Sequence, residues 1–218
     1  MKLIKTLGLA VVAAIAAMAL VGAGSAMANT PTALCKENKN PCPAAALYPA
    51  GTLIEGLATN PILLGTFFGL TGTVECEHSV VSGKTEAARS GKEKEKNLPL
   101  VGKIEKITFT GNCHSTFGGT CTVTTVKMGK LDLLRLSANL ATATSLGNEV
   151  KVSCNGFPTI ECIFGGEPQL HVEGSPAKTL TATKAALKAV SGSACPTNPQ
   201  WDAKYTIINP AGSIFITE

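Results

Sequence analysis

The feature that most constrains the fold of this chain is a set of eight cysteines, all of which follow an N-terminal leader. An even number of cysteines in an exported chain is typical of a disulfide framework, because exported proteins fold in oxidising compartments. The sequence therefore predicts four disulfides. The cysteines are Cys35, Cys42, Cys76, Cys113, Cys121, Cys154, Cys162 and Cys195.

Eight cysteines allow many pairings, so the sequence leaves the connectivity open, but the spacing favours one solution. Cys113 and Cys121 are separated by a short loop that contains glycine, and so are Cys154 and Cys162. The residues on either side of both loops are β-like. We therefore expect two hairpins, each with a disulfide across its own strands.

The remaining four cysteines divide into one short and one long bridge. Cys35 and Cys42 flank a loop that contains Pro and Asn, and we expect them to pair. That leaves Cys76 and Cys195, whose disulfide would close the longest loop. Because every thiol then has a partner and no Cys-x-x-Cys spacing occurs, we expect neither a reactive cysteine nor a zinc site.

The leader has the three parts of a secretory signal peptide. Lys2 and Lys5 form a short positive region, and the run Leu7–Val21 is apolar and uncharged. Ala26-Met27-Ala28 provides the small residues of a cleavage site. These features predict that residues 1–28 are a signal peptide and that the mature protein is secreted or held at the cell envelope.

Two alternatives to cleavage have less support. An uncleaved anchor needs about 20 apolar residues, which the leader barely reaches, so we expect no stable membrane span after cleavage. A lipoprotein signal would need a small residue before Cys35, where this chain has Leu34. Residues 29–218 have the length of one domain, and we expect a single β-rich domain there.

The charge of the chain favours no polyanionic partner. The formal net charge is +4 at pH 7, and two of the positive charges lie in the leader. A nearly neutral mature chain has no strong field for nucleic acid, and we expect no nucleic-acid partner.

Strand patterns dominate the rest of the sequence. Several runs alternate between apolar and polar residues or are rich in β-branched residues, with glycine-containing turns between them. These runs are 73–81, 104–110, 120–128, 149–154, 159–164, 201–207 and 213–217. Three stretches are ambiguous: 62–70 suits a doubly buried strand, and 131–146 and 184–190 suit either strand or helix. The pattern predicts an all-β fold, a disulfide-stabilised β-sandwich or barrel.

Glu75, Glu77 and His78 form the densest group of ionisable residues. A regular strand would place the two carboxylates on one face and the imidazole on the other, so they would converge only at a β-bulge. His171 and Glu173 would share a face, and such a pair can act as acid and base or bind a metal. No third ligand or nucleophile is identifiable beside either group. We therefore assign no catalytic residue, metal or other cofactor, and the sequence leaves enzyme activity open while favouring its absence.

Several segments along the mature chain form a recognisable cysteine frame. They are Leu34-Cys35, Tyr48-Pro49-Ala50-Gly51, Val74-Glu75-Cys76-Glu77-His78-Ser79, Phe109-Thr110-Gly111-Asn112-Cys113, Cys121-Thr122-Val123, Cys195-Pro196 and the Trp201-x3-Tyr205 pattern. With these segments the chain resembles exported, cysteine-bearing proteins of unknown function from soil actinobacteria of the Solirubrobacter type. The resemblance implies secretion and a β-rich domain. It carries no activity, so no functional residue follows from it.

Three functions fit these observations. The first is a secreted or cell-wall-associated binding or structural module whose partner is a cell-wall or other extracellular component. The second is a secreted hydrolase that uses the carboxylate and histidine groups above. The third is a binder of a small apolar ligand, built around 62–70 and the mouth of a barrel. An open apolar cavity would favour the third.

Overall fold

The computed structural model describes residues 31–91, 98–137, 140–156 and 159–217, and the predicted leader, residues 1–28, lies outside them. The described residues form fifteen strands and one turn of 3-10 helix, Ala44–Ala46. None of the helical structure described here is long and apolar enough to span a membrane.

The strands are numbered in chain order. They are β1 (Ala33–Cys35), β2 (Leu53–Thr59), β3 (Ile62–Phe67), β4 (Leu70–Thr85), β5 (Leu100–Ser115), β6 (Thr120–Lys127), β7 (Lys130–Ser137), β8 (Leu140–Leu146), β9 (Glu149–Cys154), β10 (Ile160–Gly165), β11 (Gln169–Glu173), β12 (Thr179–Ala186), β13 (Lys188–Ser193), β14 (Thr197–Asn209) and β15 (Phe215–Thr217).

Eight of these strands close into an antiparallel barrel. The order around it is β4, β5, β7, β8, β11, β12, β14 and β2, and β2 pairs back with β4. Closure leaves these strands without a free hydrogen-bonding edge, and the alternating residues point one set of side chains into the barrel. The all-β prediction is confirmed, and of its two forms the structure has the barrel.

A second curved sheet, called the side sheet below, shares the three longest strands with the barrel. Beyond the barrel, β14, β4 and β5 continue and carry the other strands in the order β14, β3, β4, β5, β6, β9, β10 and β13. The sheet curls back on itself, because the Leu187 N–H donates to Pro199 O at 2.8 Å and Cys162 is bonded to Cys195. Its concave face holds its own apolar core.

Two register shifts bend the pair of long strands. Between Ser82 and Gly83 the pairing of β4 with β5 slips, and two consecutive residues of β5, Glu105 and Lys106, are exposed. A Cβ atom on Gly83 would lie 2.5 Å from Lys103 O, so only glycine fits there. Such irregularities increase the local twist, which allows the strands to pass from the barrel into the side sheet.

The two ends of the described chain meet at one end of the barrel. β1 pairs antiparallel with β15, and this two-stranded sheet is called the end cap below. Leu34 and Ile214 of this region are buried in one cluster with Leu100 of the barrel. The cap therefore covers the barrel end that lies away from the side sheet.

The ambiguous stretches are resolved by pairing with distant strands. The stretch 62–70 forms β3 and a turn, the described residues of 131–146 belong to the paired strands β7 and β8, and 184–190 forms the end of β12 and the start of β13. Short apolar runs carry little information on their own, so the neighbouring strands decide their conformation.

The predicted disulfide pattern is correct for one bridge and wrong for three. Cys35–Cys42 is confirmed. In place of Cys113–Cys121, Cys154–Cys162 and Cys76–Cys195, the structure joins Cys76 to Cys113, Cys121 to Cys154 and Cys162 to Cys195.

The reason for the error is the hydrogen-bonding pattern of the sheet. Cys113 lies opposite Cys121 as expected, but it also lies opposite Cys76 on its other side. The N–H of Ser115 donates to Gly119 O, so the hydrogen bonds of this part of β5 point towards β6. In antiparallel sheets the pair that exchanges no hydrogen bonds is the closer one, about 4.5 Å between Cα atoms against about 5.5 Å. Cys113 therefore bonds to Cys76, at a Cα–Cα distance of 4.0 Å.

Replacing Cys121 and Cys154 together by alanine should destabilise the protein more than replacing Cys35 and Cys42 together. The two bridges span sequence separations of 33 and 7 residues. The chain-entropy model makes the difference in unfolding free energy about 1.4 kcal/mol. All four residues are buried, so the loss of packing is similar in the two variants. Urea unfolding measures the difference, and equal losses would contradict it.

Candidate functional site

The interior of the barrel is not filled by side chains. Two adjoining cavities of about 140 Å³ and about 130 Å³ lie inside the described part of the protein. Protein interiors are normally packed with few voids larger than a water molecule. Cavities of this size are therefore the first candidate for a functional site.

The first cavity, called the junction cavity, lies where the barrel meets the side sheet. Its walls combine apolar residues of both parts, including Leu63, Val74, Ile107, Val123, Leu187 and Trp201. Trp201 is the only tryptophan in the chain. Its indole also packs edge to face on Phe109, with 5.8 Å between the ring centroids.

The second cavity, called the barrel cavity, lies between the junction cavity and the end cap. Its walls are aliphatic side chains of the barrel and of the cap, including Leu34, Ile54, Leu100, Leu133, Ile207 and Ile216. Leu34 and Ile216 come from the two strands of the end cap. The cap therefore forms one wall of this cavity.

The two cavities meet at a ring of five residues, called the waist below. Each of the five residues lines both cavities. They are Val81, Ile104, Leu131, Leu180 and Tyr205. They come from five strands of the barrel, so the waist is a cross-section of the barrel interior.

Small residues at inward positions explain why the barrel is not filled. Gly102 lies on β5 between Leu100 and Ile104, two inward residues that are buried. A Cβ atom on Gly102 would meet only backbone oxygens, at 3.6 Å from Lys84 O and 3.8 Å from Leu131 O. A side chain would fit in this position, so the space is left by the choice of residue.

Empty apolar space destabilises a protein. When a core side chain is truncated, the folded state loses about 24 cal/mol for each Å³ of cavity that remains. On that scale the junction cavity of about 140 Å³ corresponds to about 3 kcal/mol. This is a sizeable fraction of the stability of a typical domain. The cavities are therefore an energetically unfavourable feature of this fold.

One polar pair lies in this apolar interior. The hydroxyls of Ser79 and Tyr205 are 3.2 Å apart and both residues are buried. Gly56 on the neighbouring strand leaves room for the ring, since a Cβ there would lie 3.2 Å from the Tyr205 Cβ. Burial raises the pKa of the Tyr205 hydroxyl above its ordinary value, because the phenolate would lose its hydration.

The carboxylates and the histidine singled out around Cys76 lie on the outer surface. A register shift between Cys76 and His78 leaves both Glu77 and His78 exposed, so His78 is not on the face opposite the carboxylates as a regular strand would require. Asn112 Nδ2 donates to Glu77 Oε1 at 3.0 Å. Glu75 lies opposite His114 on β5. None of Glu75, Glu77 and His78 lines either cavity.

His171 and Glu173 share the outer face of β11, as expected, and both are exposed. The residues opposite them on β12 are Thr181 and Thr179, which supply neither a third ligand nor a nucleophile activated by a base. Across the described ranges, no three His, Cys, Asp or Glu residues are grouped so as to hold a metal ion.

The stretch 62–70, expected to bind an apolar ligand, divides into two parts. Leu63 lines the junction cavity. Phe68 and Leu70, at the turn between β3 and β4, are 70% and 64% exposed. The stretch is therefore not wholly buried against other strands.

Most of the cavity residues could not be identified from the sequence. Their side chains look like ordinary core residues, and only the closed barrel shows that they surround a void. The one local signal is glycine at an inward position, as at Gly102 between Leu100 and Ile104.

No protein-family model, curated protein or solved structure matches this chain. The fold and the cavities are therefore the observations from which a function is inferred.

We expect the unfolding free energy of the protein to fall as the pH rises above about 10, and Tyr205 to contribute to that fall. The unfolded tyrosine loses its proton at its ordinary pKa while the folded one keeps it, so the contribution of Tyr205 is complete below that pH and is lost above it. Tyr205→Phe should make the fall of the unfolding free energy with pH less steep, by at most about 1.4 kcal/mol per pH unit.

Urea unfolding at a series of pH values from about 9 to about 11, on either side of the ordinary tyrosine pKa, measures how steeply the unfolding free energy falls. Ser79→Ala is the matched control, because it breaks the same hydrogen bond but keeps the titrating hydroxyl. An equal slope in the wild type and in Tyr205→Phe would contradict the assignment.

Proposed function

We propose that this chain is an exported β-barrel protein that binds a small apolar molecule in its interior. The observation that carries the proposal is the pair of adjoining cavities of about 140 and 130 Å³ with apolar walls. A cavity of about 150 Å³ with similar walls stays dry and binds benzene or xenon. Eight strands are also the number at which a barrel can hold one small ligand.

Export is part of the proposal. The four disulfides are consistent with an oxidising location, and the sequence of residues 1–28 has the layout of a signal peptide. An extracellular or cell-envelope protein that carries an apolar molecule agrees with both features.

The outer-surface positions of the ionisable groups favour binding over hydrolysis. Hydrolysis needs acid, base or nucleophile groups that converge on a substrate. Glu77, His78, His171 and Glu173 are exposed on strand faces, whereas the junction cavity is lined mostly by aliphatic and aromatic residues. Of the three functions, the apolar-ligand binder therefore has the most support.

Trp201 provides a direct test, because the only tryptophan of the chain lines the junction cavity. Bromobenzene is a suitable probe, since it is close to benzene in size and its bromine quenches indole fluorescence on contact. We expect saturable quenching of the Trp201 emission, together with a rise in Tm that grows with probe concentration.

Two phenylalanine variants on β6 form a matched pair for this test. Val123 lines the junction cavity, whereas Val126 is 52% exposed on the outer surface. Val123→Phe should abolish the saturable quenching and Val126→Phe should preserve it, with circular dichroism as the check of folding. Weak, non-saturable quenching that is the same in both variants and in the wild type would overturn the proposed function.

A further inference from the structure

We propose that the ligand is one elongated, uncharged molecule that occupies both cavities at once and places a neutral oxygen atom at the hydroxyl of Tyr205. This inference rests on the proposed function and names the chemical class of its ligand. Its support comes from the arrangement of the cavities, the shape of the waist, and the hydrogen-bonding state of the polar residues around them.

The arrangement of the cavities gives the length of the ligand. Because the two cavities share all five residues of the waist, they lie end to end along the barrel. Each has about the volume of a cavity that holds benzene, a molecule with six carbon atoms. Both together therefore accommodate roughly ten to twelve non-hydrogen atoms.

The waist gives the shape. Its side chains project from five different strands and form the boundary between the two cavities. A fused-ring molecule would be widest at its middle, which would lie among these five side chains. An open chain places a single row of atoms through the waist, and its two halves fill the two cavities.

The polar residues that border the cavities already have partners within the protein. In the junction cavity, Asn148 Nδ2 donates to Ser145 Oγ at 2.8 Å, and Asn148 Oδ1 accepts from the Gly129 N–H at 2.7 Å. In the barrel cavity, Thr85 Oγ1 donates to Pro49 O at 3.2 Å. These groups are engaged by the protein and do not provide a site for a charged head group.

The lysines that border the barrel cavity do not offer a charge to its interior. Lys84 and Lys103 lie opposite each other on β4 and β5, and both side chains are exposed. Lys84 Nζ is bound to the Glu105 carboxylate, 3.0 Å away on the exposed side. An ionised ligand group inside the barrel would therefore have no opposite charge, which is strongly unfavourable in an apolar interior.

The hydroxyl pair at the waist is different, because both of its residues are buried and one of its hydrogens has no acceptor. Ser79 and Tyr205 carry two hydroxyl hydrogens and share one hydrogen bond. The Trp201 indole beside the Tyr205 hydroxyl carries only a donor, so it cannot accept either hydrogen. In the described part of the chain neither hydroxyl has another partner. A buried donor without an acceptor is unfavourable, and an oxygen atom on the ligand would satisfy it.

Tyr205 is the member of this pair that lines both cavities. The ligand oxygen therefore belongs near the middle of the chain, where it reaches the tyrosine while the two hydrocarbon arms extend into the cavities. A ketone, ester, ether or secondary alcohol has such an oxygen without a charge.

The first experiment tests whether one ligand fills both cavities. Two probes are used. Dibutyl ketone has about ten non-hydrogen atoms, roughly the number that both cavities together accommodate. Bromobenzene needs only the junction cavity. Gly102→Val places a side chain in the barrel cavity at a position where a Cβ meets only backbone oxygens at ordinary contact distance.

Gly102→Val should weaken the binding of dibutyl ketone on the order of tenfold and leave that of bromobenzene unchanged, by isothermal titration calorimetry and Trp201 fluorescence. Gly102→Ala should have a smaller effect in the same direction. Equal binding of dibutyl ketone to the wild type and to Gly102→Val would overturn the inference that one ligand spans both cavities.

The second experiment tests the oxygen contact with dibutyl ketone, nonane and nonanoate. Tyr205→Phe should weaken the binding of dibutyl ketone on the order of tenfold and leave that of nonane unchanged. Ser79→Ala should bind the ketone within about twofold of the wild type. Both substitutions break the same hydrogen bond, so the contrast separates a ligand contact from a general effect on the core.

Nonanoate should show no binding at neutral pH where the ketone saturates the protein. Two results would overturn this inference: tighter binding of nonanoate than of dibutyl ketone, or an equal loss of affinity for dibutyl ketone and for nonane in Tyr205→Phe. If bromobenzene, nonane and dibutyl ketone all fail to bind the wild type, the proposed function itself is wrong.

Discussion

The pairing of β4 with β5 is the interaction on which the rest of the structure depends. Each strand has sixteen residues, long enough to contribute to both the barrel and the side sheet. Their register slips between Cys76 and His78 and again between Ser82 and Gly83, so the pair bends as it passes from one sheet to the other. The barrel, the side sheet and the cavity at their junction all follow from this bent pair, which the Cys76–Cys113 bridge holds together.

Closure of the barrel and filling of the barrel are separate requirements, and this protein meets only the first. Backbone hydrogen bonds close the eight strands whatever the inward side chains are. Filling the interior needs large residues at inward positions, and Gly102 together with the buried Ala143 and Ala177 does not provide them. The disulfides and the closed sheet stabilise the folded state. This stabilisation offsets the free-energy cost of the cavities, which a less constrained fold would fill with side chains.

The polar residues that a sequence reader notices first are not the residues around which the structure builds an enclosed site. Glu77, His78, His171 and Glu173 stand out because charged residues and histidine carry most catalytic chemistry, yet all four are exposed. The residues that enclose space, such as Val81 and Leu180, have the alternation of any core strand. Periodicity shows that a side chain points inward, but whether another side chain meets it depends on strands that are far away in the sequence.

By itself, the sequence determined the all-β class, most of the strands and the Cys35–Cys42 bridge, because alternation and short loops are local properties. Only the tertiary structure decided the other three disulfides. Cys113 and Cys121 each face two neighbouring strands, and the hydrogen-bond phase selects the closer cysteine. Cys162 lies opposite Val152 rather than Cys154, and it bonds to Cys195 in the turn before β14. The tertiary structure likewise decided that the barrel is hollow. A cavity is the space left between side chains of many strands, and no single segment of the chain encodes it.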